Sequence, residues 1–218
     1  MSIENKKTVE VYKKKAKKYL ETNIKHDNID LEKAQKKRER LQSFIKTNLE
    51  IIPKGSNVFE IGSADGKNAK YIQQLGYNVT ASDIADDFIN VIKSKDIKTI
   101  KFNILEDDFK EKYSAVFCWR VLVHFTKEDI IEILQKIRNV LEKDGVFIFN
   151  VMNSENKVTN EEWVDFSNEY HMGAERYYRY FSEKELNEII TKIGYKVHSF
   201  HKEGGKNNNK WLVYVLKT

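Results

Sequence analysis

The chain has 218 residues, 40% hydrophobic and 33% charged, enough apolar surface to bury a large core. No apolar run approaches the ~20 residues of a membrane span, and the opening MSIENKKTVEVYKKK lacks the apolar stretch of a secretory signal. A single cysteine, Cys118, excludes an internal disulfide and suits a reducing compartment, so the expectation is a cytoplasmic globular protein.

Charge is uneven along the chain. Residues 1–54 hold 15 Lys/Arg against 8 Asp/Glu, about +7, while the rest holds 23 against 25, about −2. The first predicted helix, 5–22, carries most of these lysines. They alternate with Val11, Tyr12, Ala16, Tyr19 and Leu20, which share one helical stripe. That pattern favours a packed helix with a solvated lysine face over a nucleic-acid arm. A second helix is expected over 30–50, closed by Pro53-Lys54-Gly55. Residues 1–52 therefore read as a helical cap and 53–218 as the core.

From residue 57 strands and helices alternate. Strands are predicted at Asn57–Ile61, Asn78–Ser82, Thr99–Asn103, Ala115–Trp119, Val146–Val151, Tyr195–His201 and Leu212–Leu216. Helices are predicted at Asn68–Leu75, Asp86–Lys95, Lys127–Leu141 and Glu183–Ile193, two of them opened by capping-box spacings at Thr126/Asp129 and Ser182/Glu185. This alternation implies a parallel sheet covered by helices on both faces. Only GGKNNN separates the last two strands, so they should pair antiparallel. Residues 152–181 have no clear period but many aromatics, among them Trp163, Tyr177, Tyr178 and Tyr180, and suggest an acceptor-binding insertion.

The chemistry concentrates in FEIGSADG. Gly62 opens a tight turn after a buried strand, and Ala64 and Gly66 let a ligand approach the backbone. The dinucleotide fingerprint would need glycine at 62, 64 and 67, where the chain has Gly62, Ala64 and Lys67. Seventeen residues past Gly66, Asp83 ends the second strand, where a carboxylate accepts from ribose hydroxyls. The pattern calls for an adenosine compound that need not carry a pyrophosphate.

These segments resemble, in order, the motifs of class I S-adenosylmethionine-dependent methyltransferases. Glu60–Gly66 is similar to the first motif and Asp83-Ile84 to the second. FNILEDDF is similar to the segment whose acid contacts adenine, YSAVFCWRVLVHF to the fourth-strand motif, and LEKDGVFIFNV to the turn and fifth strand. The resemblance implies a Rossmann-like α/β fold, a seven-stranded, mostly parallel sheet with an antiparallel last strand. It further implies that S-adenosylmethionine is bound by Glu60, Gly62, Ser63, Ala64, Gly66, Asp83, Ile84, Asn103, Ile104 and Cys118, and is released as S-adenosylhomocysteine. Tyr12 and Tyr19 match the Y-x6-Y spacing with which leading helices of small-molecule methyltransferases contact the cofactor; the alternative is that both only pack the helix down. The chain departs from the family at Ala64, where glycine is usual, and at Asn103, where Asp is usual. It lacks the Asn/Asp-Pro-Pro-aromatic pattern of enzymes that methylate DNA bases and protein amides, and has Cys118, Trp119 and Arg120 there instead.

For the transfer itself, His124 is the first candidate general base and His171 the second, with a packing role the alternative for His124. Trp119, Arg120, Arg176, Tyr177, Tyr178 and Arg179 are candidate acceptor contacts. Guanidinium groups facing the pocket would mean an anionic acceptor such as a phosphonate, an organic acid or a nucleotide-sugar. His198 and His201, three apart on a strand, point to opposite faces, so no metal site is expected. The resulting expectation is O- or N-methylation of a small molecule by a monomer or homodimer, without nucleic-acid or membrane partners. The rival readings are an RNA methyltransferase and a non-catalytic cofactor-binding subunit.

Overall fold

A computed structural model describes residues 1–155, 157–165, 172–205 and 210–218, with only the backbone described over 23–29. The first helix, α1 (Ile3–Ile29), runs a further two turns past its predicted end. Asp30 closes it and also caps α2 (Leu31–Leu49), accepting from the Lys33 N–H at 3.0 Å. Then come β1 (Asn57–Ile61), α3 (Lys67–Gln74), β2 (Asn78–Asp83), α4 (Asp86–Lys93), β3 (Lys98–Lys101) and β4 (Tyr113–Cys118). A 3-10 turn at Leu122–His124 leads into α5 (Lys127–Val140) and the long strand β5 (Leu141–Asn153). The chain finishes with β6 (Glu161–Val164), β7 (Arg176–Phe181), α6 (Glu183–Ile193), β8 (Lys196–Glu203) and β9 (Trp211–Lys217).

Seven of these strands form the central sheet in the order β3-β2-β1-β4-β5-β9-β8, parallel except for β9, which is antiparallel to both neighbours. This is the architecture that the sequence implies. The central strands are buried on both sides, which is why they read as continuous apolar runs. Along β1, Val58 faces α2 and α3, joining Ile45, Leu49 and Ile72, while Phe59 faces α5 and α6, joining Ile130 and Ile133. α2 is therefore part of the main core. The order reverses between β1 and β4, which pair with each other, and the crevice past their carboxyl ends is where open α/β sheets bind ligands.

Residues 152–181 contribute a feature that has no counterpart in the sequence pattern. β6 and β7 form an antiparallel hairpin with Trp163 opposite Tyr177 and Glu161 opposite Arg179. β7 also runs parallel to the end of β5, Met152 with Tyr180 and Asn153 with Phe181. Met152 already pairs with Trp211 of β9 on one edge, so β7 takes the other edge, vacated where β4 ends. The hairpin thus stands above the β1/β4 crevice. It has no polar–apolar alternation because all six β7 residues are buried.

Candidate active site

The crevice floor is the turn after β1. Gly62 and Gly66 adopt φ of 70° and 71°, and a Cβ on Gly62 would lie 2.3 Å from Val121 Cγ2, so only glycine fits there. Ala64 also has positive φ, 46°, so its replacement of the family's glycine carries a backbone cost besides the added methyl. The turn is fastened to β2: the Ser63 N–H donates to the Ser82 carbonyl at 2.8 Å, and the Ser82 N–H to Ser63 Oγ at 3.2 Å.

Asp83, 5% exposed, ties the two turns together. Its Oδ2 accepts from the Ala64 N–H at 2.9 Å, and its Oδ1 from the N–H groups of Ile84 at 2.7 Å and Ala85 at 3.3 Å. Burial pushes its pKa up to about 6, against the pull of those three donors. Glu60, 1% exposed, is pushed up to about 7, mainly by burial, although Ser63 and Asn68 donate to it; its Oε2 has no hydrogen-bond partner among the described residues. Two buried carboxylates, an unsatisfied carboxylate oxygen and a backbone stripped of side chains fit a ligand that brings positive charge and hydroxyl donors. S-adenosylmethionine, with its ammonium, sulfonium and ribose, is such a ligand.

Helix α1 lies over this floor. Ala16 is fully buried against Ala85 and Phe88, with Tyr12, Tyr19, Leu20 and Ala64 packed around them. Tyr19 meets Phe88 edge-on at 5.6 Å and Tyr12 at 6.1 Å, so the apolar stripe read from the sequence does face the core.

Tyr12 leads into the second half of the site. The β7 residue Tyr177 turns its N–H to Thr8 Oγ1 (3.0 Å) and its carbonyl to His124 Nδ1 (2.8 Å). A carbonyl only accepts, so Nδ1 carries the proton and Nε2 presents a lone pair. Tyr12 Oη lies 2.9 Å from Nε2 and donates to it, and Arg176 Nη1 donates to Tyr12 Oη at 3.3 Å. His124 is 6% exposed; burial, with the Arg176 charge, pulls its pKa down to about 3, so the imidazole is neutral. Arg176, only 1% exposed, has its guanidinium 5.6 Å from the rings of both Tyr12 and Tyr178, with Asp165 Oδ1 at 3.8 Å.

The structure therefore gathers Tyr12, His124, Arg176 and Tyr178 at one end of the crevice and sends other sequence candidates elsewhere. Strand alternation along β7 turns Tyr177 and Arg179 to the opposite face from Arg176: Tyr177 Oη donates to Glu161 at 2.7 Å, and Arg179 binds the Asn160 carbonyl and Glu185. Arg120, at φ 60°, donates its N–H to Asn150 Oδ1 and lays its guanidinium over Trp211. Trp119 stacks on Phe117 and leans on Phe44 of α2. Ile104 and Cys118 are core residues. Asn103 holds its own turn, accepting from the Leu105 N–H and donating to Glu106. His171 lies outside the described residues.

A family model described as a methyltransferase domain matches residues 33–199. This chain belongs to that family and is a class I S-adenosylmethionine-dependent methyltransferase. No curated protein gives a significant match. Among solved structures, a DhpI–SAH complex is similar with a TM-score of 0.69 at 18% identity, covering 98% of this chain and 96% of that one. The CcbJ methyltransferase of Streptomyces caelestis gives 0.65 at 14% identity over 81% and 89%. A methyltransferase of Methanosarcina mazei gives 0.64 at 15% identity over 77% and 94%. At these identities the likeness establishes the fold, and with DhpI it extends over the N-terminal helices.

Proposed function

We propose that the enzyme methylates a small anionic molecule held between α1 and the β6–β7 hairpin. The observation that carries this reading is Arg176, a guanidinium buried at the end of the crevice and bracketed by the rings of Tyr12 and Tyr178. A cation enclosed in that way suits a carboxylate, phosphate or phosphonate group on the acceptor.

When bound, the cofactor supplies an activated methyl and a good leaving group. The chain's task is to hold the acceptor lone pair in line and keep water out. Such positioning is worth on the order of 7–11 kcal/mol. Asp83 and the 62–66 turn would hold the adenosine end, and Glu60 would meet the cofactor's positive charge. Tyr12, Tyr19 and Ala16 exclude water from above. His124 makes a poor general base: its Nε2 is occupied by Tyr12, and burial disfavours the imidazolium. An acceptor atom that already exposes a lone pair, such as an anionic oxygen or a neutral amine, requires none.

The test is formation of S-adenosylhomocysteine against a panel of organic acids, phosphonates and nucleotide-sugars. Arg176→Lys, which keeps the charge but loses the fork, is expected to lower kcat/KM roughly 10- to 100-fold, mostly through KM for the acceptor. Preference for neutral acceptors, or no change in the variant, would contradict the reading.

A further inference from the structure

Two elements that must cooperate in methyl transfer meet at one side chain. α1 covers the cofactor turn and β7 carries Arg176. Three of the polar contacts between them pass through His124: the Asn5 side-chain amide donates to its carbonyl at 3.3 Å, Tyr12 Oη to its Nε2, and its Nδ1–H to the Tyr177 carbonyl. Thr8 closes the circuit by accepting the Tyr177 N–H. The imidazole ring is gripped as well, 5.3 Å from the Tyr12 ring and 4.6 Å from the Tyr178 ring. The two ring nitrogens thus have opposite roles fixed by opposite elements, a donor toward β7 and an acceptor toward α1.

We propose that His124 is a positioning residue: as a neutral imidazole it latches the helix that covers the cofactor to the strand that presents Arg176, so that closure over the cofactor and assembly of the acceptor site are one event. Tyr12 is the moving half of the latch. Its ring packs at the edge of the cluster formed by Ala16, Ala85 and Phe88, while its hydroxyl reaches across to His124 and Arg176. If α1 lifts, the hydroxyl leaves both, and the guanidinium loses one of its two flanking rings. Cofactor enclosure and the geometry of Arg176 are therefore linked, and each ligand should favour the other's site reciprocally. The acceptor side of this linkage rests on the anionic-acceptor reading; the latch itself does not.

The experiment uses the full chain and S-adenosylhomocysteine, without any acceptor. Exposed lysines along α1, including Lys13, Lys14, Lys17 and Lys18, make tryptic cleavage there a direct report of lifting. His124→Ala and Tyr12→Phe are each expected to speed that cleavage in saturating S-adenosylhomocysteine by about tenfold and to weaken its binding by a similar factor. The double variant should fall clearly short of the sum of the two single ones, because both lose the same Tyr12–His124 hydrogen bond. His124→Gln, which offers an acceptor and a donor but cannot serve as a base, should recover most of the protection. Additive effects in the double variant, or wild-type cleavage and affinity in Tyr12→Phe, would overturn the latch and leave the reading of Arg176 untouched. Tyr12→Phe keeps the ring, so its result stands even where His124→Ala fails to fold.

Discussion

Glu60 and Asp83 are buried near the carboxyl ends of the neighbouring strands β1 and β2, and burial holds both in favour of the protonated form, at about 7 and about 6 against ordinary values of 4.5 and 3.8. Between those ordinary values and the raised ones, the folded chain keeps protons that the unfolded chain has lost. Stability of the ligand-free protein therefore falls as pH rises through roughly 4 to 7, and the penalty is fully present above that window. For Glu60 it is on the order of 3 kcal/mol. The melting temperature without ligand is predicted to be higher at about pH 5 than at about pH 8, and Glu60→Gln should flatten the difference. A pH-independent melting temperature in the wild type would contradict this. Bringing in a cationic cofactor reverses the preference, so binding near neutral pH should release protons, seen as a buffer-dependent heat. The glycine loop and both acids were legible in the sequence because they sit at fixed spacings after strands. The three backbone donors on Asp83 were not, since they depend on how two turns from different strands face one another. Nor was the fate of Trp119 and Arg120, which are adjacent in sequence to site residues but turned toward α2 and Trp211.

Among elements, the start of α5 has a double duty. Thr126 and Asp129 form the capping box expected from their spacing, with Thr126 Oγ1 accepting from the Asp129 N–H at 3.2 Å. Asp129 also accepts from the Ser2 hydroxyl at 2.6 Å and the Ser2 N–H at 3.2 Å, and Ser2 is the N-cap of α1. One carboxylate therefore serves the amino ends of two helices, a favourable place for negative charge. Asp129→Ala is predicted to cost about 1–2 kcal/mol, read by urea unfolding, and a loss under about 0.3 kcal/mol would contradict the assignment. Local signals of this kind survive in a sequence because cap and partner are three residues apart. The β6–β7 hairpin left no such signal. Arg176, Tyr178 and Tyr180 line one face of β7 and Tyr177, Arg179 and Phe181 the other, and with both faces covered neither is distinguishable by polarity. The contacts at His124 join it to Tyr12, 112 positions away, and to Tyr177, 53 positions away, beyond the reach of any pattern in the chain.

At the scale of the molecule, the switch in strand order between β1 and β4 marks the crevice where an open α/β sheet offers a ligand site, and α1 and the β6–β7 hairpin both border it. α1 and the hairpin close it together. The basic excess of residues 1–54 stays on the outside of this arrangement: the inward face of α1 is built from Asn5, Thr8, Val9, Tyr12 and Ala16, and its described lysines are partly or fully exposed. No helix among the described residues is long and apolar enough to cross a membrane. Alternation of strands and helices makes the sheet legible in the amino-acid sequence, since each βα unit is local. The long-range decisions, which edge β7 takes and where α1 lies, rest on contacts that only folding creates. The account depends above all on the crevice accepting an adenosine-linked sulfur cofactor through Asp83. Isothermal titration with S-adenosylhomocysteine tests it directly. The expected result is one site per chain with a micromolar or tighter Kd, weakened by roughly 1.5–3 kcal/mol in Asp83→Ala; no saturable binding to the wild type, or equal affinity in the variant, would contradict it.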